Sequence, residues 1–294
     1  MSSDEKKVSG VAAPDRMAGV EASPGVAKPD PILVVDSVRR SFGGLTAVDV
    51  DHLEVQRGTI TALIGPNGAG KSTLFNLLTG FDRVDRGRWT YEGTPISGRS
   101  GHKVARAGMV RTFQLTKALT RMTVLDNMLL GAQKQFGERM LGSLLRPVWR
   151  REEQANTERA LSLLERFRLL DKRNDMAGSL SGGQRKLLEM ARALMTDPGM
   201  IMLDEPMAGV NPALVQSLLG HITSLREEGK TVLFVEHDMD VIMDVSDWIV
   251  VLAQGQVIAE GTPAAIASNK QVIDAYLGAQ EDDVVEAQEG TDEQ

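Results

Sequence analysis

The spacing of apolar and polar positions changes period along the chain, and each change marks an element. Ile32-Leu33-Val34-Val35 and the stretch from Val38 to Gly44 read as strands. Val48, Val50, Leu53 and Val55 then alternate with polar residues, as a strand with one buried face does. Ile60-Thr61-Ala62-Leu63-Ile64 is short, β-branched and apolar, the pattern of a strand buried on both faces of a parallel sheet. Leu74, Leu77 and Leu78 recur at helical spacing until Gly80 supplies a stop. Gly87 to Gly93 suggests a short strand and turn, followed by a strand running into Arg111-Thr112-Phe113-Gln114. From Met122 to Met195 the period is helical almost throughout, and Pro198-Gly199 ends it. Strands at Met200–Pro206, Thr231–Asp238, Trp248–Leu252 and Gln256–Ala259 follow, with a helix from Pro212 to Glu228 between the first two and a closing helix that includes Ile266 and Ile273 to Leu277. Strands alternating with helices predict an α/β fold.

The strand at Ile60 runs directly into Gly65-Pro66-Asn67-Gly68-Ala69-Gly70-Lys71-Ser72-Thr73, which fits G-x-x-x-x-G-K-[ST]. Strand, glycine loop and helix in that order gather backbone N–H groups and a helix N-terminus around one point, and phosphate suits such a point. Gly65, Gly68 and Gly70 allow close wrapping, Lys71 reaches the β and γ phosphates, and the Ser72 hydroxyl can ligate Mg²⁺.

Other candidates are weaker singly. Phe42 is either a strand aromatic or a flat platform for an adenine ring. Gln114 can accept from a metal-bound water and donate to a phosphate, or simply end a strand in solvent. Ser181 and Gln184 have the S-x-x-Q spacing of a capping box, which leaves Gly182 and Gly183 unexplained. Each glycine weakens a helix by about 1 kcal/mol relative to Ala, so close approach of something to this helix start accounts for them. Asp204 and Glu205 end a hydrophobic strand, where Asp204 can hold Mg²⁺ and Glu205 can act as a base or orient water. His237 ends another such strand and either caps the next helix or reaches the γ-phosphate.

Composition narrows the setting. With Cys 0 there is no disulfide framework and no thiolate metal site. No stretch has the roughly 18 apolar residues of a membrane span, and the first residues lack the apolar core of a secretory signal, so the expectation is cytoplasmic. The formal charge of -7 comes from residues 279–294, which hold seven acids and no Lys or Arg; the remainder balances at 33 acidic against 33 basic residues. General attraction to nucleic acid is therefore not expected. Residues 1–30 lack periodicity and are expected to be disordered, as is the acidic tail from 279 to 294. Phe136, Met140, Leu141, Leu144, Leu145, Val148 and Trp149 draw one apolar stripe bordered by arginines, either packed in its own subdomain or meeting a membrane partner or lipid headgroups. Pro147 is expected to kink or end that helix.

The order of these motifs resembles the ATP-binding cassette (ABC) ATPases over about residues 32 to 278. The likeness extends to the ATP-binding subunits of branched-chain (hydrophobic) amino-acid importers. It rests there on Ser41 to Val48, Val110 to Gln114, Met207-Ala208-Gly209-Val210-Asn211-Pro212, Val235 to Met239 and Ala275-Tyr276-Leu277-Gly278. The resemblance implies a P-loop ABC ATPase domain over 31–278, with a RecA-like core, a small antiparallel β subdomain and an α-helical signature subdomain over about 119–196. It also implies ATP and Mg²⁺ as ligands. Two cassettes, this chain twice or this chain with a relative, would sandwich ATP on the inner face of the membrane. Phosphate loop, Phe42, Gln114, Asp204, Glu205 and His237 of one would then face Ser181, Gly182, Gly183 and Gln184 of the other. Integral-membrane permeases and an external substrate-binding protein would complete the importer. Phe42 stands where Tyr is commoner, and Asn211 where many cassettes carry Asp.

Alternatives are a urea or amide importer, a lipid exporter, or a soluble cassette acting on nucleic acid or ribosomes. Against the last, the segment between Lys71 and Ser181, which are 110 positions apart, holds short helices and no extended heptads. A GTPase is disfavoured because no N-K-x-D segment is present.

Overall fold

The computed structural model describes residues 16–112, 120–132 and 146–276. Gln114, the acidic tail and the side chains of the stripe from Phe136 to Trp149 lie outside the described residues.

Two sheets share one molecule. Strands β1 (Pro31–Phe42), β2 (Leu45–Gln56), β4 (Arg86–Tyr91) and β5 (Thr94–Pro95) form an antiparallel sheet in the order β2-β1-β4-β5. Strands β3 (Ile60–Ile64), β6 (Met109–Arg111), β7 (Met200–Asp204), β8 (Thr231–Val235), β9 (Trp248–Ala253) and β10 (Gln256–Gly261) form the second, in the order β10-β9-β3-β8-β7-β6. Its pairs are parallel except the β9–β10 hairpin. The two apolar runs read as separate strands join into the single β1, which is bent at Ser37, φ 50, where its register against β4 shifts.

The apolar strands serve two cores at once. Ile60, Ala62 and Ile64 of β3, Ile201 and Leu203 of β7, and Ile249 and Val251 of β9 enter one cluster with the long helices. Leu63, Met200, Met202, Val250 and Leu252 point the other way, into a cluster with β1, β2 and the first helix. Burial on both faces explains why these strands read as continuous apolar runs, and each fully buried Leu, Ile or Val contributes about 1.5–3 kcal/mol.

The helices are α1 (Lys71–Leu78), α2 (Gly101–Arg106), α3 (Val124–Leu129), α4 (Arg146–Arg166), α5 (Gly182–Ala193), α6 (Pro212–Glu227), α7 (Met239–Val245) and α8 (Pro263–Ala267). Helices α3, α4 and α5 pack on one another, between β6 and β7 in sequence. Pro147 does not end α4, whose described part continues past it to Arg166. The closing helix is broken: α8 stops at Ala267, and Asn269 accepts from Gln271 N–H and Val272 N–H to start another helical stretch over 270–276. Among the described residues no helix is long and apolar enough to cross a membrane.

Residues 16–30 depart from the expected disorder. Met17 is buried beside β1 and β2, and Lys28 Nζ pairs with Glu260 Oε2 at 2.7 Å, both side chains almost fully enclosed. Trp248 Nε1 donates to the same oxygen at 2.8 Å, and Val26 N–H donates to Glu260 Oε1 at 3.0 Å. Periodicity is the usual sign of order, and this segment has none. It is held by isolated anchors, Met17 against β1 and β2, and Val26 and Lys28 on Glu260, which lies more than 200 residues away.

Candidate active site

Because β3, β6, β7 and β8 run parallel, their carboxyl ends lie along one edge of the sheet, and each delivers a polar group there. Ligands of open α/β sheets bind outside that edge. From β3 the chain turns at Gly65 (φ 148), whose missing Cβ would stand 2.0 Å from Leu252 O. Gly70 (φ 96) caps α1, and a Cβ there would stand 2.2 Å from Ala47 O. Both glycines are thus required by the chain's own backbone, while Gly68 (φ 74) faces open space. Pro66 and Asn67 complete the turn, and the Ala69 N–H donates to Pro66 O at 3.2 Å.

Lys71 folds back over the loop, its Nζ donating to Gly65 O at 2.6 Å and Pro66 O at 2.8 Å. Burial lowers its pKa below the ordinary lysine range, with Glu205 opposing that shift. Glu205 thus acts on the loop electrostatically from the end of β7. Ser72 is exposed and Thr73 half-buried in the first turn of α1.

Asp204, the last residue of β7, pairs with Arg111 at the end of β6, Nη2 to Oδ2 2.5 Å. Arg111 also donates to Asn76 Oδ1 at 2.7 Å, so strand, helix and carboxylate are tied together. A serine hydroxyl and an aspartate suit Mg²⁺ that shares phosphate oxygens. Among the described residues no group of three or more His, Cys, Asp or Glu forms a protein-only metal cage.

Glu205 takes φ 47, a left-handed conformation that costs a non-glycine residue about 1–3 kcal/mol. Its Oε1 lies 2.9 Å from His237 Nε2. An ionised carboxylate only accepts, so this contact places the imidazole hydrogen on Nε2. Two residues 32 apart in sequence become one hydrogen-bonded pair because β7 and β8 are neighbours. His237 does not cap α7; Asp238 does.

At α5 the capping box is complete: Gln184 N–H donates to Ser181 Oγ, and Ser181 N–H to Gln184 Oε1. The two glycines have different reasons. A Cβ on Gly183 would lie 1.7 Å from Leu214 Cδ2 of α6, so any larger residue here requires the Leu214 side chain to move aside. Gly182 has open space around its Cβ position, and both it and Ser181 are exposed. Phe42, 48% exposed at the end of β1, has the Arg40 guanidinium 4.4 Å from its ring centroid. Asn211 Oδ1 caps α6 by accepting from Leu214 N–H at 3.0 Å, a task Asp would perform equally.

Three further residues were not singled out from sequence: Arg111, Lys186 and Glu236. Lys186 Nζ donates to the carbonyls of Glu205, Pro206 and Ala208. Burial lowers its pKa, and Glu236, Glu189 and Glu205 around it oppose that shift. Glu236, 5% exposed, accepts from Met207 N–H at 2.7 Å. The one available sign was charge at strand-end or helical positions that otherwise read as core or surface.

The chain matches known proteins along most of its length. The ABC transporter family matches residues 48–208, and a family described as branched-chain amino acid ATP-binding cassette transporter matches residues 256–282. The chain is 42% identical over 253 residues to the probable branched-chain amino acid transport ATP-binding protein LivG of Archaeoglobus fulgidus, covering 86% of this chain and 98% of that one. It is 44% identical over 250 residues to the high-affinity branched-chain amino acid transport ATP-binding protein BraF of Pseudomonas aeruginosa, covering 84% and 98%. A crystal structure of a nucleotide-free ATP-binding cassette superposes with a TM-score of 0.74 at 39% identity, over 84% of this chain and 98% of that one. A cassette in its ADP conformation gives 0.73 at 38%, over 84% and 99%. Glycine loop, strand-end carboxylates and signature helix thus stand in a fold shared along nearly the whole length of these relatives, and the chain belongs to the ABC transporter ATP-binding family, in its branched-chain amino acid group.

Proposed function

We propose that this chain hydrolyses ATP to energise import of branched-chain amino acids through partner membrane permeases. The observation that carries the catalytic part is the Glu205–His237 pair, standing one residue beyond Asp204 at the strand-end edge that also bears the phosphate loop. The importer part is supported by the names of the relatives and by the match over residues 256–282.

Lys71, with three N–H donors of which two rest on the loop, would turn its charge to the β and γ phosphates. Ser72 and Asp204 would hold Mg²⁺, and Gln114 is proposed to join them. When bound, that metal would offset the negative charge of the phosphate oxygens. Glu205 has Oε1 on His237 and so has Oε2 to accept a proton from the attacking water. His237 fixes the carboxylate's direction through its Nε2–H, and would reach the γ-phosphate by turning that hydrogen from Glu205 to a bound nucleotide. Phe42 offers its ring to the adenine. Exposed Ser181 and Gly182, at the positive end of α5, would complete the site of a second cassette, so the working unit is a dimer on the inner face of the membrane.

Glu205→Gln tests this reading. Turnover should fall by about 100-fold or more while ATP binding persists, leaving an ATP-stabilised dimer on size exclusion. That variant should also capture polytopic permeases from solubilised host membranes. Wild-type turnover would remove Glu205 from its role, and capture of ribosomes or DNA-associated proteins instead would overturn the import reading.

A further inference from the structure

Lys186 is the fifth residue of α5, one turn in from Gly182, and its side chain crosses to the loop that follows β7. Its Nζ lies 3.1 Å from Glu205 O, 3.1 Å from Pro206 O and 2.5 Å from Ala208 O. An ammonium has three N–H donors, and here all three go to one loop. Buried Glu236 holds the same loop through Met207 N–H. The loop is gripped by its carbonyls and by an amide, and its first residue stands at φ 47. A non-glycine residue keeps that conformation only where its surroundings over-determine it.

We propose that Lys186 is a positioning residue: it fixes the backbone of Glu205, so aims its carboxylate, and it couples this chain's signature helix to this chain's own Glu205. The inference rests on Glu205 being the water-orienting carboxylate. In a two-cassette sandwich the Ser181-Gly182 end of α5 serves the partner's ATP, while Glu205 serves the ATP on this chain's phosphate loop. One ammonium therefore links the two hydrolysis sites through a single chain, because a shift of α5 on closure pulls on the loop that carries Glu205.

The test compares Lys186→Met, Glu205→Gln and the double variant in steady-state and single-turnover hydrolysis. For Lys186→Met, kcat should fall about tenfold or more, with the KM for ATP changed less than about threefold. Lys186→Arg, which keeps a cation able to donate to carbonyls, should recover most of the loss. Adding Lys186→Met to Glu205→Gln should leave the residual rate unchanged, since no carboxylate remains to be aimed. Hydrogen exchange supplies a readout independent of turnover. The Ala208 amide, which donates to Glu205 O at 3.2 Å, should exchange faster in Lys186→Met while the amides of α5 keep their protection. Should Lys186→Met fail to fold, the same comparisons apply to Lys186→Gln. A wild-type kcat, an equal fractional loss in both backgrounds, or unchanged exchange at Ala208 overturns the inference. Wild-type turnover in Glu205→Gln would instead remove the reading on which it rests.

Discussion

Phe42 shows how a single residue is prepared by its neighbours. Arg40 lies over its ring and is itself held by Asp82 at 3.1 Å and Asp85 at 2.9 Å, so one face of the ring is covered by a tethered cation. A base stacked on an aromatic contributes about 1–3 kcal/mol. Phe42→Ala should therefore weaken ATP binding about tenfold, measured by fluorescence titration, with kcat at saturating ATP retained. Phe42→Tyr should bind as wild type does. The ambiguity that sequence left at Phe42 was one of exposure. Phe42 is half open because it stands at the tip of the β1–β2 hairpin, paired with exposed Leu45 across the Gly43-Gly44 turn. Glu205 and His237 were individually legible as polar residues ending apolar runs, but their contact was not, since it depends on which strands are neighbours.

At the scale of elements, residues 16–30 act as a strap across the edge of both sheets, fastened by the Lys28–Glu260 pair. Lys28 also reaches Val26 O at 2.9 Å and lies 4.8 Å from the Trp248 ring centroid. Removing one partner of a buried pair strands the other charge, at a cost of about 3–5 kcal/mol. Lys28→Met should lower stability by that order in urea unfolding, and Lys28→Met with Glu260→Gln should regain part of it. If Lys28→Met unfolds at the wild-type midpoint, the strap does not hold the fold. Helix α5 carries the opposite lesson. Its capping box was legible from four residues, and the reason for Gly183 was not, because Leu214 approaches from an element about thirty residues away.

The whole molecule's stability should respond to pH through Glu189, which sits in a 350 Å³ cavity with Asp204, Glu205 and Lys186. Burial pushes its pKa up to about 7, and its Oε1 has no hydrogen-bond partner among the described residues. A carboxyl whose folded pKa exceeds its unfolded value binds more protons when folded, so its contribution to stability declines as pH rises from about 4.5 through about 7. Glu189→Gln should accordingly raise the melting temperature relative to wild type at pH 8, with the gap narrowing toward pH 5. A gap that does not change with pH would show that Glu189 is not titrating in this window.

Sequence by itself determined the elements and the candidate chemistry of this chain. Apolar runs, periodicity and the glycine loop are local properties, set by backbone sterics and by which side chains must leave water, and they can be read residue by residue. The α/β class, the phosphate loop, Asp204, Glu205, His237 and the signature helix followed from them. Tertiary structure alone decided that β7 and β8 are neighbours, that Arg111 pairs with Asp204, that Lys28 anchors a segment without periodicity, and that Lys186 grips the loop of Glu205. These are contacts between charged or polar groups far apart in the chain. No local pattern encodes them, because their energy arises only when folding removes water from between the partners.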